Sequence, residues 1–345
     1  MDILFLTKAS TSTGMGHLIR SRTLANQFFK VDSNISIEFK VIGESLVERL
    51  LSDVLYTYDI IPVEESCELI KQYDIVIIDM IHISNNLMNN VSRIAKLKVC
   101  ISPIFNKMNQ IDIFFNRTKY HNFIHPNAPE HIFASANYTI IQEDCRKIKT
   151  STYEENLDLT HFPIAISMGG GDAANKTLNF LKSLKNCKVP ATFWVMLGEG
   201  YTHSYDNLIN EIKRDSRHEV ILAKTNKSMW QILKNCLLAI LPGGITTYEA
   251  AYAGLPTINL LETEESYFLI KELVEEKVCM YNGLINHENV ESINDTIEHL
   301  YLNRKELLLM HLNSKNLIPE DSGSTIMEKC KAVLQSKSIQ TKSAQ

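Results

Sequence analysis

Three short stretches bring glycines, hydroxyls and titratable side chains together: Gly14-Met-Gly-His17, Gly169-Gly-Gly-Asp172, and Gly243-Gly244-Ile245-Thr246 with Glu249 just beyond. Each follows an apolar run and precedes a helical pattern, which is where a chain can take hold of phosphate. Glycine has no Cβ to keep the backbone from an anion. The first turn of a helix adds free N–H groups and the positive end of its dipole. The third stretch is the fullest case. Leu237 to Leu241 reads as a buried strand that breaks at Pro242, and the helical pattern after it stops at Gly254, before Pro256. Thr246 and Thr247 supply hydroxyls, and the carboxylate of Glu249 can accept both hydroxyls of a ribose. The other reading is a tight strand–helix turn on an ordinary capped helix, and a short glycine motif does not separate the two.

His17 is the candidate catalyst. Gly14 and Gly16 allow a tight turn that leaves His17 at the start of a helix. Its imidazole titrates near neutral pH and can take a proton from water or a hydroxyl. The helix terminus disfavours the charged ring and keeps it a base. The alternative is a histidine that only caps the helix; the flanking glycines and a second half prepared for a nucleotide favour catalysis. A dinucleotide fingerprint is excluded, since position 19 is Ile. Arg20 and Arg22 read as surface or sheet-edge charges, Arg20 being within reach of a phosphate. Asp79 closes the apolar run Ile75 to Asp79 and either faces the ligand edge or caps the next turn. Gly170, Gly171 and Asp172 resemble a second cradle that borders sugar or diphosphate, with Lys176 either joining them or solvated on its helix. Glu262 follows the strand Thr257 to Leu261 at the ligand edge, where a carboxylate can hydrogen-bond sugar hydroxyls. His121, His125 and His131 lie around Pro126 and Pro129, so no helix aligns them and no metal site is expected. No cofactor is expected either, and GxSxG, HExxH and P-loop motifs do not occur.

These groups need strand ends to position them, and the chain offers two sets. Strand, glycine turn and helix occur at 2–29 and again at 164–184. Between 29 and 115 the pattern predicts strands at 35–42, 75–79, 98–102 and 111–115, with helices at 44–51, 65–72 and 86–96. An N-terminal Rossmann-like domain (1–150) is expected to carry the catalytic histidine and the sugar or acceptor side. Residues 144–162 read as a linker, and a second Rossmann-like domain (160–318) is expected to hold the nucleotide diphosphate. A crossover helix (319–336) returns to the first domain, and 337–345 reads as a disordered polar tail. Doubly wound domains of this kind bind ligands at the carboxyl ends of their strands, in a cleft when two face one another.

Composition narrows the partners. A chain of 345 residues with net charge -5 gives no reason to expect nucleic acid or an anionic membrane surface. Seven scattered cysteines without a CxxC pair fit a reducing compartment, and the N-terminus MDILFLTKAS has neither the basic start of a signal peptide nor the length of a span. Cytoplasm is the expected location; oligomeric state is not readable.

Taken in order, GMGHLIRSRTLA, ISMGGGDAANKT and GGITTYEAAYAGLP resemble the UDP-sugar hydrolase of pseudaminic acid biosynthesis and its relatives in spore-coat polysaccharide synthesis. That group is similar to the MurG-type glycosyltransferases and has their two-domain GT-B architecture. The resemblance runs from residue 2 to about 335. It implies that His17 activates water against the anomeric carbon of a UDP-linked diacetamido-trideoxy sugar. It also implies that Gly243, Gly244, Ile245 and Thr246 cradle the diphosphate, that Glu249 holds the ribose, and that Asp79 and Gly169 to Asp172 border the sugar. The chemistry implied needs no metal. An inverting glycosyltransferase of the same fold is the alternative. Two positions depart from the hydrolase pattern: Lys8 stands where an acidic residue is common, and Glu262-Thr-Glu-Glu-Ser-Tyr267 replaces an Asn-Gln pair whose Asn shares the water with the histidine.

Overall fold

The computed structural model describes residues 1–10, 14–120, 129–198, 200–214, 217–224 and 229–343. The chain divides into two compact units, Met1–Gln142 with Glu320–Gln345, and Glu143–Pro319. The first unit has seven strands: β1 (Asp2–Ala9), β2 (Ser36–Gly43), β3 (Thr57–Ile61), β4 (Tyr73–Asp79), β5 (Ala95–Cys100), β6 (Ile113–Asn116) and β7 (His131–Ala134). They form one parallel sheet in the order β3-β2-β1-β4-β5-β6-β7. Among the described residues, two α-helices lie between these strands, α1 (Gly16–Val31) and α2 (Asn85–Ile94).

Side-chain alternation explains why both faces of this sheet are covered. Ile3, Phe5, Ile75 and Ile77 point to the face packed by Leu18, Leu24 and Phe28 of α1. Leu4, Leu6, Val76 and Ile78 point to the opposite face, packed by Leu87, Met88 and Val91 of α2. A strand buried on both sides has no polar face to display, which is why IVII in β4 is continuously apolar.

The second unit repeats the plan with β8 (Phe162–Ser167), β9 (Ala191–Leu197), β10 (Glu219–Lys224), β11 (Leu238–Leu241), β12 (Thr257–Leu261) and β13 (Cys279–Leu284). All are parallel, in the order β10-β9-β8-β11-β12-β13. Its helices are α3 (Thr150–Leu157), α4 (Lys176–Leu184), α5 (Tyr205–Arg214), α6 (Trp230–Leu233), α7 (Ile245–Ala253), α8 (Phe268–Glu275), α9 (His287–Leu302) and α10 (Arg304–Ser314). The last helix, α11 (Gly323–Ser343), belongs to the first unit, where Ile326, Met327 and Cys330 join the core beside α1.

Several local expectations change. The segment read as a linker contains α3: Tyr153 is fully buried, donates its hydroxyl to the Leu237 carbonyl at 2.7 Å and stacks on His311 at 4.4 Å. One buried residue in eight leaves too little periodicity to read. The helix expected over 65–72 shrinks to a single 3-10 turn, Glu64–Ser66; Cys67 and Leu69 beyond it are buried alternately, in the period of an extended chain. The tail expected to be disordered continues α11 as far as Ser343, with Lys337 held by Asp112 at 2.6 Å. Residues 344–345 lie outside the described ones. Among the described residues, no helix is long and apolar enough to cross a membrane.

Candidate active site

β1 and β4 lie side by side with Thr7 opposite Asp79, so both strands finish at the same edge of the first sheet. The chain leaves β1, closes a small loop through the Gly14 N–H to the Ser10 carbonyl (2.9 Å), and enters α1 beyond Met15. Gly14 takes φ 81, a conformation that glycine tolerates and other residues avoid. His17, in the first turn, therefore arrives directly over the end of β4. Its Nδ1 lies 2.7 Å from Oδ1 of Asp79. One helical turn on, Arg20 grips the same carboxylate with two donors, Nε to Oδ2 at 2.9 Å and Nη2 to Oδ1 at 2.5 Å. Ser102, just past β5, donates to Oδ1 at 2.7 Å and accepts from Arg20 Nη2.

Asp79 has no exposed surface, Arg20 is 8% exposed and the His17 side chain 20%. Burial opposes ionisation of Asp79, but the charge of Arg20 and the contact with His17 outweigh it and hold the carboxyl well below its usual range. A carboxylate at Nδ1 fixes the ring so that Nδ1 carries the hydrogen and Nε2 the lone pair. Arg20 Nη2 also lies 3.1 Å from Nδ1, but with its hydrogen given to Asp79 that nitrogen has no lone pair left to accept from the guanidinium. Chemically, an imidazole held this way, with a fixed anion behind it, can serve as an oriented general base. Asp79 thus faces the strand edge and His17 together, and Arg20 is the sheet-edge charge of the two readings rather than a solvated surface one. Sequence reasoning missed Arg20 and Ser102 as parts of one cluster. The spacing of His17 and Arg20, three apart and so on one helix face, was the available signal.

In the second unit, α7 begins at the end of β11. Gly243 has φ 76, and a Cβ there would lie 2.1 Å from Leu261 Cδ2, so both backbone and packing demand glycine. At Gly244 a Cβ would meet open space, and among the described residues no side chain caps the helix. The first-turn N–H groups of Ile245 and Thr246 are thus placed to receive an anion. Thr247 is committed elsewhere, its hydroxyl donating to Asn259 at 2.7 Å. Glu249 lies a turn further along α7 with no exposed surface.

The Gly169-Gly-Gly-Asp172 turn is more structural than its sequence suggests. Gly170 accepts the Gly200 N–H at 3.0 Å, and a Cβ at Gly198 would lie 2.4 Å from the Gly170 carbonyl, so close packing on this turn explains glycine at 198, while Gly169 takes φ 91. Asp172 is buried and spends its carboxylate on the α4 backbone, accepting from the N–H of Lys176 at 2.7 Å and of Thr177 at 2.9 Å. Lys176 in turn donates to Glu262, which ties the β8–α4 loop to the loop after β12. Of the three histidines considered for metal, His121 and His125 lie outside the described residues; His131 opens β7. Among the described residues no group of three potential ligands converges.

Two doubly wound parallel sheets, glycine turns at their carboxyl edges and a last helix returned to the first unit make this a GT-B protein. The fold is shared at 13% identity and TM-score 0.66 with a MurG of Acinetobacter baumannii, over 96% of this chain and all of that one. A structure titled as a putative UDP-N-acetylglucosamine 2-epimerase from Listeria monocytogenes matches at 12% identity and TM-score 0.63, over 98% of each chain. UGT2 of Phytolacca americana, complexed with UDP-2-fluoro-glucose and pterostilbene, matches at 12% and 0.62, over 96% of this chain and 98% of that one. No protein-family model matches the sequence. An uncharacterized protein of Methanocaldococcus jannaschii is 25% identical over 276 residues, 76% of this chain and 56% of its own length. The matched region thus spans little more than half of that relative.

Proposed function

We propose that this protein binds a nucleoside-diphosphate sugar and cleaves its glycosyl–phosphate bond, with water as acceptor. The observation that carries the reading is the His17–Asp79 contact, a base oriented by a buried carboxylate at a strand end where α/β folds hold substrates. His17 Nε2 takes a proton from water as the water oxygen bonds to the anomeric carbon. The bond from that carbon to the phosphate oxygen breaks, and its electron pair leaves with the nucleotide. Attack from the far side inverts the anomeric centre. Asp79 stabilises the imidazolium that forms, and backbone donors at Gly243, Gly244, Ile245 and Thr246 stabilise the departing diphosphate. In this reading the first unit carries the catalyst and the second the nucleotide. Glu249 serves the ribose, and Gly14, Gly16, Gly170, Gly171 and Glu262 border the sugar.

Structures of the same fold support a UDP-sugar, since three of them were solved with UDP, UDP-2-fluoro-glucose or UDP-GlcNAc bound. The resemblance to the pseudaminic acid hydrolase supports an amino-modified deoxy sugar. Seven buried thiols support a cytoplasmic setting. A glycosyltransferase is the second reading, favoured by one observation. The loop that begins at Glu262 stands where the hydrolases carry their Asn-Gln pair, and its first carboxylate is engaged by Lys176. In that case His17 deprotonates an acceptor hydroxyl. The test is incubation with UDP-, CMP- and GDP-sugars, with and without candidate acceptors. Equal release of free sugar and nucleotide supports hydrolysis. Release only with acceptor supports transfer, and no cleavage of any donor in either condition overturns both readings.

A further inference from the structure

The first residue of α4 is a lysine where local preference argues against one. Lys176 stands at the positive end of its helix, where a cation is disfavoured. It follows Asn175, held at φ 51 in the left-handed region, and only 9% of its surface is exposed. A nearly buried ammonium needs an anion close by. The anion present is Glu262, whose own side chain is 66% exposed. Three local rules are broken to place this charge, and such conflicts concentrate where function imposes them.

The sheet order shows what the pair straddles. β8 and β12 are the two neighbours of β11, so the loops carrying Lys176 and Glu262 flank the Gly243–Gly244 turn at the end of β11. We propose that Lys176 is a ligand of the nucleotide's diphosphate and that Glu262 is its resting counter-ion, displaced when the nucleotide binds. The inference rests on reading Gly243 to Thr246 as a diphosphate cradle. An exposed glutamate is a weak holder of the lysine, worth at most about a factor of five in equilibrium. A diphosphate brings more charge and can bond the α7 backbone donors at the same time. The open space above Gly244 leaves room for it.

Calorimetric titration of the full chain with UDP and with inorganic pyrophosphate tests this. Lys176→Met should weaken both probes by about tenfold or more, as loss of a charge-assisted bond does, whereas Lys176→Arg should bind nearly as wild type. Glu262→Gln should tighten both by up to about fivefold, and should have no effect in the Lys176→Met background. Unchanged affinity in Lys176→Met, or unchanged or weaker affinity for both probes in Glu262→Gln, overturns the displacement. Should Lys176→Met fail to fold, the exposed position 262 decides alone. Wild-type protein that binds neither probe overturns the diphosphate reading and this inference together; binding that ignores both substitutions overturns this inference only.

Discussion

Replacing Asp79 by Asn keeps the shape of the buried cluster and removes its negative charge. Two separable losses follow. Arg20, 8% exposed, keeps its charge but loses the carboxylate that it grips through two donors. Breaking a buried pair from one side costs about 3–5 kcal/mol. For a folding unit of roughly 150 residues, 1 kcal/mol corresponds to about 2–4 °C, so the unfolding midpoint should fall by roughly 6–20 °C. The second loss is chemical. An asparagine can present its amide hydrogens to Nδ1, which turns the lone pair inward and leaves Nε2 protonated and useless as a base. The equivalent change in the serine-protease triad lowers kcat by about 10⁴, and a fall of about 10²–10⁴ is expected here. Calorimetry and turnover of a nucleotide sugar read the two losses independently. A double variant, Asp79→Asn with Arg20→Leu, removes the orphaned cation and should recover much of the midpoint with none of the turnover.

The pH dependence fixes the sign. Asp79 is held well below its ordinary 3.8, so its stabilisation is complete above that value and is lost only as pH falls toward the folded value. The midpoint gap between wild type and Asp79→Asn should therefore be constant above pH ~5 and narrow in stronger acid. An Asp79→Asn protein with unchanged turnover would refute the oriented-base argument, and an unchanged midpoint would refute the buried pair.

Other expectations follow from single positions. His17→Ala should lower turnover by about 10²–10⁴ while UDP affinity stays near wild type; an equal loss of UDP binding would place His17 in the nucleotide site instead. Gly243→Ala meets Leu261 and a left-handed backbone, and should cost about 1–3 kcal/mol in denaturant unfolding. Gly244→Ala, with open space around its Cβ, should leave the fold within about 1 kcal/mol yet weaken UDP, because the new methyl stands where the anion comes; equal stability losses at the two positions would contradict this. His311 is buried between the Gly254 carbonyl (2.6 Å) and the Thr150 hydroxyl (3.1 Å), and burial lowers its pKa from 6.5. The folded unit prefers the neutral ring, so stability is present above 6.5 and declines as pH falls below it. The slope of the unfolding midpoint between pH ~5.5 and ~7 should flatten in His311→Gln, and an undiminished slope would assign that dependence elsewhere.

The sheet centres were legible because β4 and β11 are buried on both faces, and an unbroken apolar run is the only pattern such strands can show. The glycine turns were legible as turns, and the structure separated their reasons. Gly243 answers to Leu261, Gly198 to the Gly170 backbone, and a Cβ at Gly244 would meet nothing within 4 Å among the described residues. Whether Arg20 was a surface or a sheet-edge charge stayed open because a charge on an amphipathic helix looks solvated until its partner is known, and that partner lies 59 residues away. Asp172 was read as a cleft carboxylate although two backbone donors of its own helix consume it. Edge strands β3 and β7 were missed for a related reason. They are short and only partly buried: β7 shows neither a continuous apolar run nor an alternation, and the alternation of β3 spans only five residues.

The claim that organises these results is that His17, backed by Asp79, directs water at the anomeric carbon of a nucleotide sugar. Turnover of a UDP-sugar in water enriched in oxygen-18, read by mass spectrometry, addresses it directly. Label at C1 of the released sugar, with none in the nucleotide and no turnover in His17→Ala, is the predicted result. Label in the nucleotide phosphate would show attack at phosphorus and contradict the account.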